Sequence, residues 1–488
     1  MTISHNSFGA ALCLIGLGLF ALSAGVATAQ IDTSSASPVN PQSMLARPDA
    51  KVLNLETAVQ MALERNVQVL QARNRSDATG ASVRSAYGGL LPTLSANAGW
   101  ARQMNWQSTE GGIRIINGVP VEYAPGSTFD AYNNYSLGVG ANWTLFDGMA
   151  NISDIDRAKA NDAAGRFNLD RTKQLVILQT HTLFMAVARV YKLLEVANDN
   201  LSRSRRQLER ITESNKVGAV ALADVYRQQV QVGTDELALI QAQTSLATAK
   251  ADLIAWLGVD YDETGYAIDV SGQPSDIDTA DFTEVNARYA NFDTLVAMGV
   301  RQRPDHRSTL EAYNAASSSV TIAKSGYWPS LTASASYGYS SSRIGDLVVG
   351  GIDNEEGDRG ASLRLGVNIP IFNGFSTMDQ VAQAEVQEMN AREDLEQSKR
   401  QIAVDIRKAL LTLGQAEKRL IVSRISVTSA DMDRKISEEK YNLGAGTLLD
   451  MLVATASYTN AIKDKVDAVF DYLLAKKSVE YALGTLTY

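Results

Sequence analysis

The chain is written twice. Phe146-Asp147-Gly148 and Phe372-Asn373-Gly374 each close an alternating, strand-like run and open a long helical stretch, and they stand 226 residues apart. The same interval separates Lys216-Val217-Gly218-Ala219 from Asn442-Leu443-Gly444-Ala445, and Trp256-Leu257-Gly258 from Ala482-Leu483-Gly484. Three anchors at one interval mark a tandem duplication, so the fold must be assembled from two copies of one supersecondary unit.

Proline placement outlines that unit. All ten prolines fall at or before Pro370, and none lies between Pro125 and Pro274. The strongest helix breaker is therefore absent from 149–257 and from 375–488. Gly218 and the run Gly444-Ala445-Gly446 divide these stretches at equivalent points and read as helix ends followed by turns. Helices are expected at about 149–216 and 221–257, and again at about 375–442 and 447–483. At ~1.5 Å per residue the longer ones span on the order of 100 Å, and helices of that length need a partner along their whole course.

A sevenfold pattern provides one. Val187, Leu194, Leu201 and Leu208 alternate with Val190, Ala197, Ser204 and Ile211; in the second copy Leu413, Leu420 and Val427 alternate with Ala409, Ala416, Ser423 and Ala430. This spacing aligns the side chains on one coiled-coil seam, and small residues among large ones allow close packing.

The runs before each long helix have a period of two. Leu94, Ala96, Ala98 and Trp100 alternate with Ser95, Asn97 and Gly99, and Leu137, Val139, Ala141 and Trp143 alternate with Gly138, Gly140 and Asn142. Leu331 to Tyr339 and Leu363 to Ile371 repeat the pattern. Strands are expected at about 92–103, 134–146, 329–340 and 361–372, with a loop over roughly 104–133 and an acidic, solvated loop at Asp353 to Asp358. About 9–11 residues suffice for a tilted strand to cross a bilayer, and Trp100, Trp143, Tyr135 and Tyr339 suit membrane interfaces. A soluble sandwich would alternate in the same way. In lipid, however, four strands cannot close a barrel and an open edge leaves backbone groups unpaired, so a membrane location requires several copies to join. Two copies give a barrel too narrow for a water-filled pore, and three give 12 strands.

The remaining composition excludes other classes. Residues 1–29 contain an apolar segment ending in Ala27-Thr28-Ala29 and read as a signal peptide; 30–50 reads as a disordered lead-in. The single cysteine, Cys13, lies inside that signal, so the mature chain has no disulfide, thiol nucleophile or cysteine metal site. A net charge of −9 with mixed signs along the helices argues against nucleic-acid binding. His181 and His306 form no ligand cluster, no catalytic motif is present, and neither an enzymatic activity nor a cofactor is expected.

The ordered set Leu91-Pro92-Thr93-Leu94, Leu145-Phe146-Asp147-Gly148, Val217-Gly218-Ala219, Trp328-Pro329-Ser330-Leu331, Ile371-Phe372-Asn373-Gly374 and Leu443-Gly444-Ala445 resembles the TolC-like outer-membrane factors over residues 51–488. The resemblance implies a mixed α and β fold: four transmembrane strands per chain, 12 in a homotrimer, continuous with a long coiled-coil α-barrel. The first structural repeat would be 51–275, with a linker from 259, and the second 276–488. It also implies an equatorial belt holding helical starts near 54–88 and 292–325, a place in the cell outer membrane with the helical tube in the periplasm, and no catalysis. The implied function is a passive exit duct of a tripartite efflux or type I secretion system, partnered by a periplasmic adaptor and an inner-membrane pump or ATP-driven transporter.

By the same resemblance, Gly218, Ala219, Gly444 and Ala445 would dock the adaptor. Asp224 and Tyr441 would belong to a gate and Asp450 to a pore constriction. The basic residue expected past the second turn is replaced by Gly446, and Val453 stands where a second acidic ring is expected; Lys440 could substitute. A plainer role for both aspartates is a carboxylate in the first turn of a helix, favoured by about 0.3–1 kcal/mol. The alternative to a channel is a periplasmic coiled-coil adaptor without a pore.

Overall fold

The computed structural model describes residues 51–260, 266–270, 272–274, 276–344 and 357–486. The expected signal peptide and lead-in lie outside these residues, as does most of the acidic loop. The first copy runs β1 (Lys51–Leu53), α1 (Leu55–Arg65), α2 (Val67–Gly88), β2 (Thr93–Thr109), β3 (Gly112–Ile116), β4 (Val119–Tyr123), β5 (Gly126–Phe146), α3 (Ala150–Lys216), α4 (Leu222–Trp256) and β6 (Tyr266–Ile268). The second runs α5 (Thr279–Arg288), α6 (Phe292–Gln302), α7 (Pro304–Ser325), β7 (Ser330–Ile344), β8 (Gly357–Asn368), α8 (Ser376–Asn442) and α9 (Leu448–Leu483).

The four long strands form one antiparallel sheet in the order β2-β5-β7-β8, leaving β2 and β8 as edges. The alternation now has faces. Leu94, Ala96, Ala98 and Trp100 stand opposite Ala141, Val139, Leu137 and Tyr135, which stand opposite Ala335, Tyr337, Tyr339 and Ser341. Leu363, Leu365 and Val367 complete the same face on β8. Most of the large apolar side chains here are exposed, Leu363 at 86% and Leu94 at 77%, while Tyr135 and Tyr339 are half-buried, so the chain by itself leaves much of a greasy sheet face uncovered.

Two boundaries differ from expectation. The stretch 104–133 is not a loop: β2 and β5 stay paired as far as Thr109 and Gly126, and the short β3–β4 hairpin sits beyond them. Its turn is Asn117-Gly118, both with positive φ (52° and 82°), the conformation two-residue hairpins require. At the other end β8 stops at Asn368 instead of continuing to 372. Pro370 lacks the N–H that a further ladder bond needs.

Each sheet-to-helix joint uses two successive left-handed residues, Gly148-Met149 (φ 69° and 75°) and Gly374-Phe375 (φ 65° and 66°). A methyl group on Gly148 would lie 2.7 Å from Trp328 Cβ and 2.8 Å from Ser325 O, so the first joint is wedged against the second copy. The helices that follow, α3 and α8, are 67 residues each. Val187, Leu194, Ala197, Leu201, Ser204 and Ile211 on α3 are buried, as are Leu413, Ala416, Leu420 and Ser423 on α8; the sevenfold seam is the core.

The ends of the helical hairpins return to a belt of short helices. α1 gives way to α2 at Asn66, and α6 to α7 at Arg303. Against each break packs a glycine that closes a repeat. A Cβ on Gly258 would lie 2.6 Å from Arg65 O, and one on Gly484 would lie 2.9 Å from Arg303 Cα. Arg303, 4% exposed, pairs with Asp305 at 2.5 Å and Asp405 at 3.0 Å. Further back on α9, Tyr472 donates its hydroxyl to Asp281 at 2.8 Å, and Lys476 reaches the other carboxylate oxygen at 2.7 Å.

Candidate functional site: the helical tips

The ends of the two hairpins come together far from the sheet. α3 ends at Lys216 with Val217 as its C-cap, and Gly218 (φ 77°) turns the chain. The amide of Ala219 donates to Ser214 O at 2.9 Å, closing the helix in the Schellman manner. Asn215 Nδ2 then donates to Val220 O at 2.7 Å and pins the turn. At the second tip Gly444 (φ 72°) plays the same backbone role, and Ala445 N donates to Lys440 O at 2.8 Å. No atom outside the turn lies within 4 Å of a Cβ built on Gly218 or Gly444, so both glycines are open to whatever approaches. Gly218, Ala219, Gly444 and Ala445 are all exposed.

Asp224 and Asp450 each occupy the third residue of a helix. Asp450 takes the plainer role directly. It accepts from Thr447 N at 3.2 Å and from Thr447 Oγ1 at 2.7 Å, while its own amide donates to Thr447 Oγ1 at 3.2 Å, a complete capping box. These bonds from Thr447, with the charge of Lys440 further off, hold its carboxyl below the usual range. The side chain is nonetheless exposed. Asp224 has no such cap, since Ala221 begins α4; it pairs with Arg227 at 3.0 Å.

Tyr441 is brought beside Asp224 but not bonded to it. Burial raises the phenol's pKa, and the Asp224 charge raises it further, while its hydroxyl has no hydrogen-bond partner. Its ring joins Ile211, Val225, Leu448 and Met451, one residue or more from each of α3, α4 and α9, in a small apolar knot that binds the hairpins together. Gly446 has a steric cause: a Cβ there would meet Lys440 Cβ at 3.0 Å. Val453 is 58% exposed.

Sequence reasoning missed the polar layer above this knot. Arg210 on α3 reaches Glu438 on α8 at 3.4 Å, Thr459 on α9 donates to Asn200 on α3 at 3.3 Å, and the guanidinium groups of Arg203 and Arg434 both lie over the ring of Tyr458, at 6.0 and 5.0 Å. The fully buried Gln228 donates to Ser204 O at 3.0 Å. These groups line a 390 Å³ cavity between the hairpins. The available signal was Arg203, Arg206 and Arg210 at helical spacing on one face of α3.

A model of the family described as "Outer membrane efflux protein" matches residues 58–259 and 300–485, one stretch in each copy of the repeat. The chain belongs to the outer membrane efflux protein family. Among its relatives, the outer membrane protein TolC of Vibrio cholerae is 24% identical over 440 residues, 89% of this chain and 91% of the relative. TolC of Escherichia coli is 25% identical over 445 residues, 89% and 82% respectively. The outer membrane efflux protein BepC of Brucella suis is 25% identical over 354 residues, 72% of each.

Solved structures show the same fold. The Campylobacter jejuni CmeC outer membrane channel superposes with a TM-score of 0.68 at 18% identity, covering 88% of this chain and 85% of the other. VceC of Vibrio cholerae gives 0.66 at 18%, covering 88% and 96%. This efflux family member is therefore an outer-membrane protein and an exit channel of efflux systems. Its relatives are named as outer membrane and efflux proteins, and the CmeC structure as an outer membrane channel. Among the described residues no helix is long and apolar enough to cross a membrane, and the four-stranded sheet carries a row of exposed apolar side chains on one face.

Proposed function

We propose that three copies of the chain join edge to edge into a 12-stranded barrel, and that their helices continue it as a tube across the periplasm. The observation that carries this reading is the four-stranded antiparallel sheet with two open edges and an exposed apolar face. In lipid every backbone N–H and C=O must be satisfied, and joining β8 of one copy to β2 of the next satisfies them. The duct is passive and assigns no catalytic role to any residue. Its energy comes from an inner-membrane pump or ATP-driven transporter, reached through a periplasmic adaptor that meets the exposed turns at Gly218, Ala219, Gly444 and Ala445.

The narrow end is formed by the tips. Asp450 is exposed beside the turn, so three copies around a small mouth concentrate cations and repel anions. Asp224 and Tyr441 face each other between the hairpins without a hydrogen bond, which makes them a contact that separates easily when the hairpins part. The test is planar-bilayer conductance of detergent-purified protein whose mass has been measured. Discrete channels from trimers are expected, with cation preference lowered in Asp450→Ala. A protein that neither inserts nor conducts would end the channel architecture, and unchanged selectivity would remove Asp450 from the constriction.

A further inference from the structure

The β3–β4 hairpin, at the end of the sheet away from the helices, forms a sheet of its own. β2 and β5 stop pairing at Thr109 and Gly126, and the hairpin ladder begins at Gly112 and Tyr123. Glu110-Gly111 and Ala124-Pro125 therefore join the two without a ladder bond, and Pro125 has no N–H with which to make one. Every residue from Gly112 to Glu122 is exposed. A two-stranded hairpin alone in water is marginally stable at best, yet this one exposes Ile113 at 71%, Ile115 at 72% and Val119 at 60%, with Ile116 and Val121 also in the open.

Register divides these side chains between two faces. Partners across a ladder point the same way, so Ile113, Ile115, Pro120 and Glu122 share one face, and Arg114, Ile116, Val119 and Val121 share the other. Each face is apolar with a single charge, negative on the first and positive on the second. Glu122 and Arg114 are both exposed and, among the described residues, unpaired. A lipid surface would cover one face and leave the other wet. A second copy of the hairpin covers both when the contact is head to tail, first face against second, and such heterologous contacts close into rings. Opposite charges then meet at every contact.

The dimensions suit a ring of three. Twelve strands ~4.8 Å apart and tilted about 40° close at a radius of roughly 12 Å. The hairpin strands have five residues each, and at ~3.3 Å per residue they reach about 16 Å, from the wall to the axis. We infer that the three β3–β4 hairpins fold inward about their unpaired joints and pack face against face around the threefold axis. Each Glu122 meets Arg114 of the next copy, and the hairpins interlock as a lid over the outer mouth of the duct. The lid rests on the trimeric barrel proposed above.

Cys13, in the expected signal peptide, is the only cysteine of the chain, which leaves the mature protein open to disulfide trapping. Ile115→Cys with Val121→Cys puts one thiol on each face of the hairpin. Oxidation of the detergent-purified full chain is expected to give covalent dimers and trimers on denaturing gels, while either single variant stays monomeric there. Arg114→Glu should abolish the covalent trimer in that background, and adding Glu122→Arg should restore it. Closure has its own readout. Ser336→Cys, on the polar face of the sheet, should react slowly with a polymer-linked maleimide added outside cells, and faster once residues 112–123 are replaced by a glycine turn. Equal rates overturn the lid, and equal cross-linking of the single variants overturns the head-to-tail ring. Ile115→Cys shielded in lipid vesicles but reactive in detergent, without cross-links, assigns the face to lipid instead. A preparation lacking trimers by mass removes the lid and the barrel together, whereas trimers whose hairpins never cross-link defeat the lid alone.

Discussion

At the first tip a side chain closes the turn, with Asn215 donating to Val220 O at 2.7 Å. The residue at the equivalent repeat position in the second tip is Tyr441, whose hydroxyl bonds to nothing. Ala221, which starts α4 without a side-chain cap, corresponds to Thr447, which starts α9 with a complete capping box. Asp224, paired with Arg227, corresponds to Asp450, held by Thr447. Duplication has preserved the backbone, including the left-handed glycines, while the side chains have divided the work. The second tip is closed by bonds within its own helix. The first has no cap, and its carboxylate is held by Arg227 one turn along α4, with its charge felt at Tyr441.

The largest expected effect tests whether the two copies still pack alike. Leu194 and Leu420 are repeat equivalents, 4% and 0% exposed. Alanine at either should cost on the order of 2–5 kcal/mol, read as a lowered thermal midpoint of the assembled protein. A loss at only one site would show that the seams are unequal.

Next comes a difference in charge between the copies. His181 corresponds to the exposed Arg407, and burial, helped by Lys477, lowers its pKa from 6.5 to about 4. Above pH 6.5 the residue is neutral folded or unfolded, and it has no influence on stability. Between about 6.5 and 4 the unfolded chain takes up a proton that the folded one refuses, so stability falls as pH falls, by on the order of 3 kcal/mol in all. His181→Gln should flatten the melting-temperature profile in that window. An unchanged acid slope would place the sensitivity elsewhere.

A smaller effect sharpens the contrast between the tips. Thr447→Ala should destabilise the first turn of α9 by about 1 kcal/mol, and Ala221→Ser should stabilise that of α4 by a similar amount. Hydrogen exchange of the amides that follow each cap would show both. If Thr447→Ala left protection unchanged, the capping box would not be what orders this turn. The smallest effect belongs to Tyr441→Phe: with no bond to lose, it should shift stability by less than about 0.5 kcal/mol, and a larger loss would mean the hydroxyl has a partner in the assembly.

The overall fold was legible because its determinants are periodic. Sevenfold and twofold spacing, the confinement of proline and the doubled landmarks are collective signals that single substitutions do not erase. The extent of the outer sheet was less so. Asn117-Gly118 between Ile116 and Val119 is a strong hairpin signal, yet its flanks mix Arg114, Pro120 and Glu122 into the alternation and conceal it. The tip residues were legible in position, since glycine turns follow from backbone geometry. Their partners were not, because whether Asp450 faces Thr447 or the neighbouring hairpin depends on rotamers that spacing does not set. The same holds for Arg210 and Glu438, 228 residues apart in sequence, which meet only because two long helices run in register.

The paired left-handed residues at Gly148-Met149 and Gly374-Phe375 have a mechanical meaning. A corner made from two consecutive unusual backbone conformations has few neighbouring states to bend into, and Gly148 is additionally wedged by Trp328 and Ser325. Such a corner transmits force without yielding. Any twisting that widens the far mouth must be spread along the 67-residue helices as slight uncoiling, and the lipid-embedded wall is spared the strain.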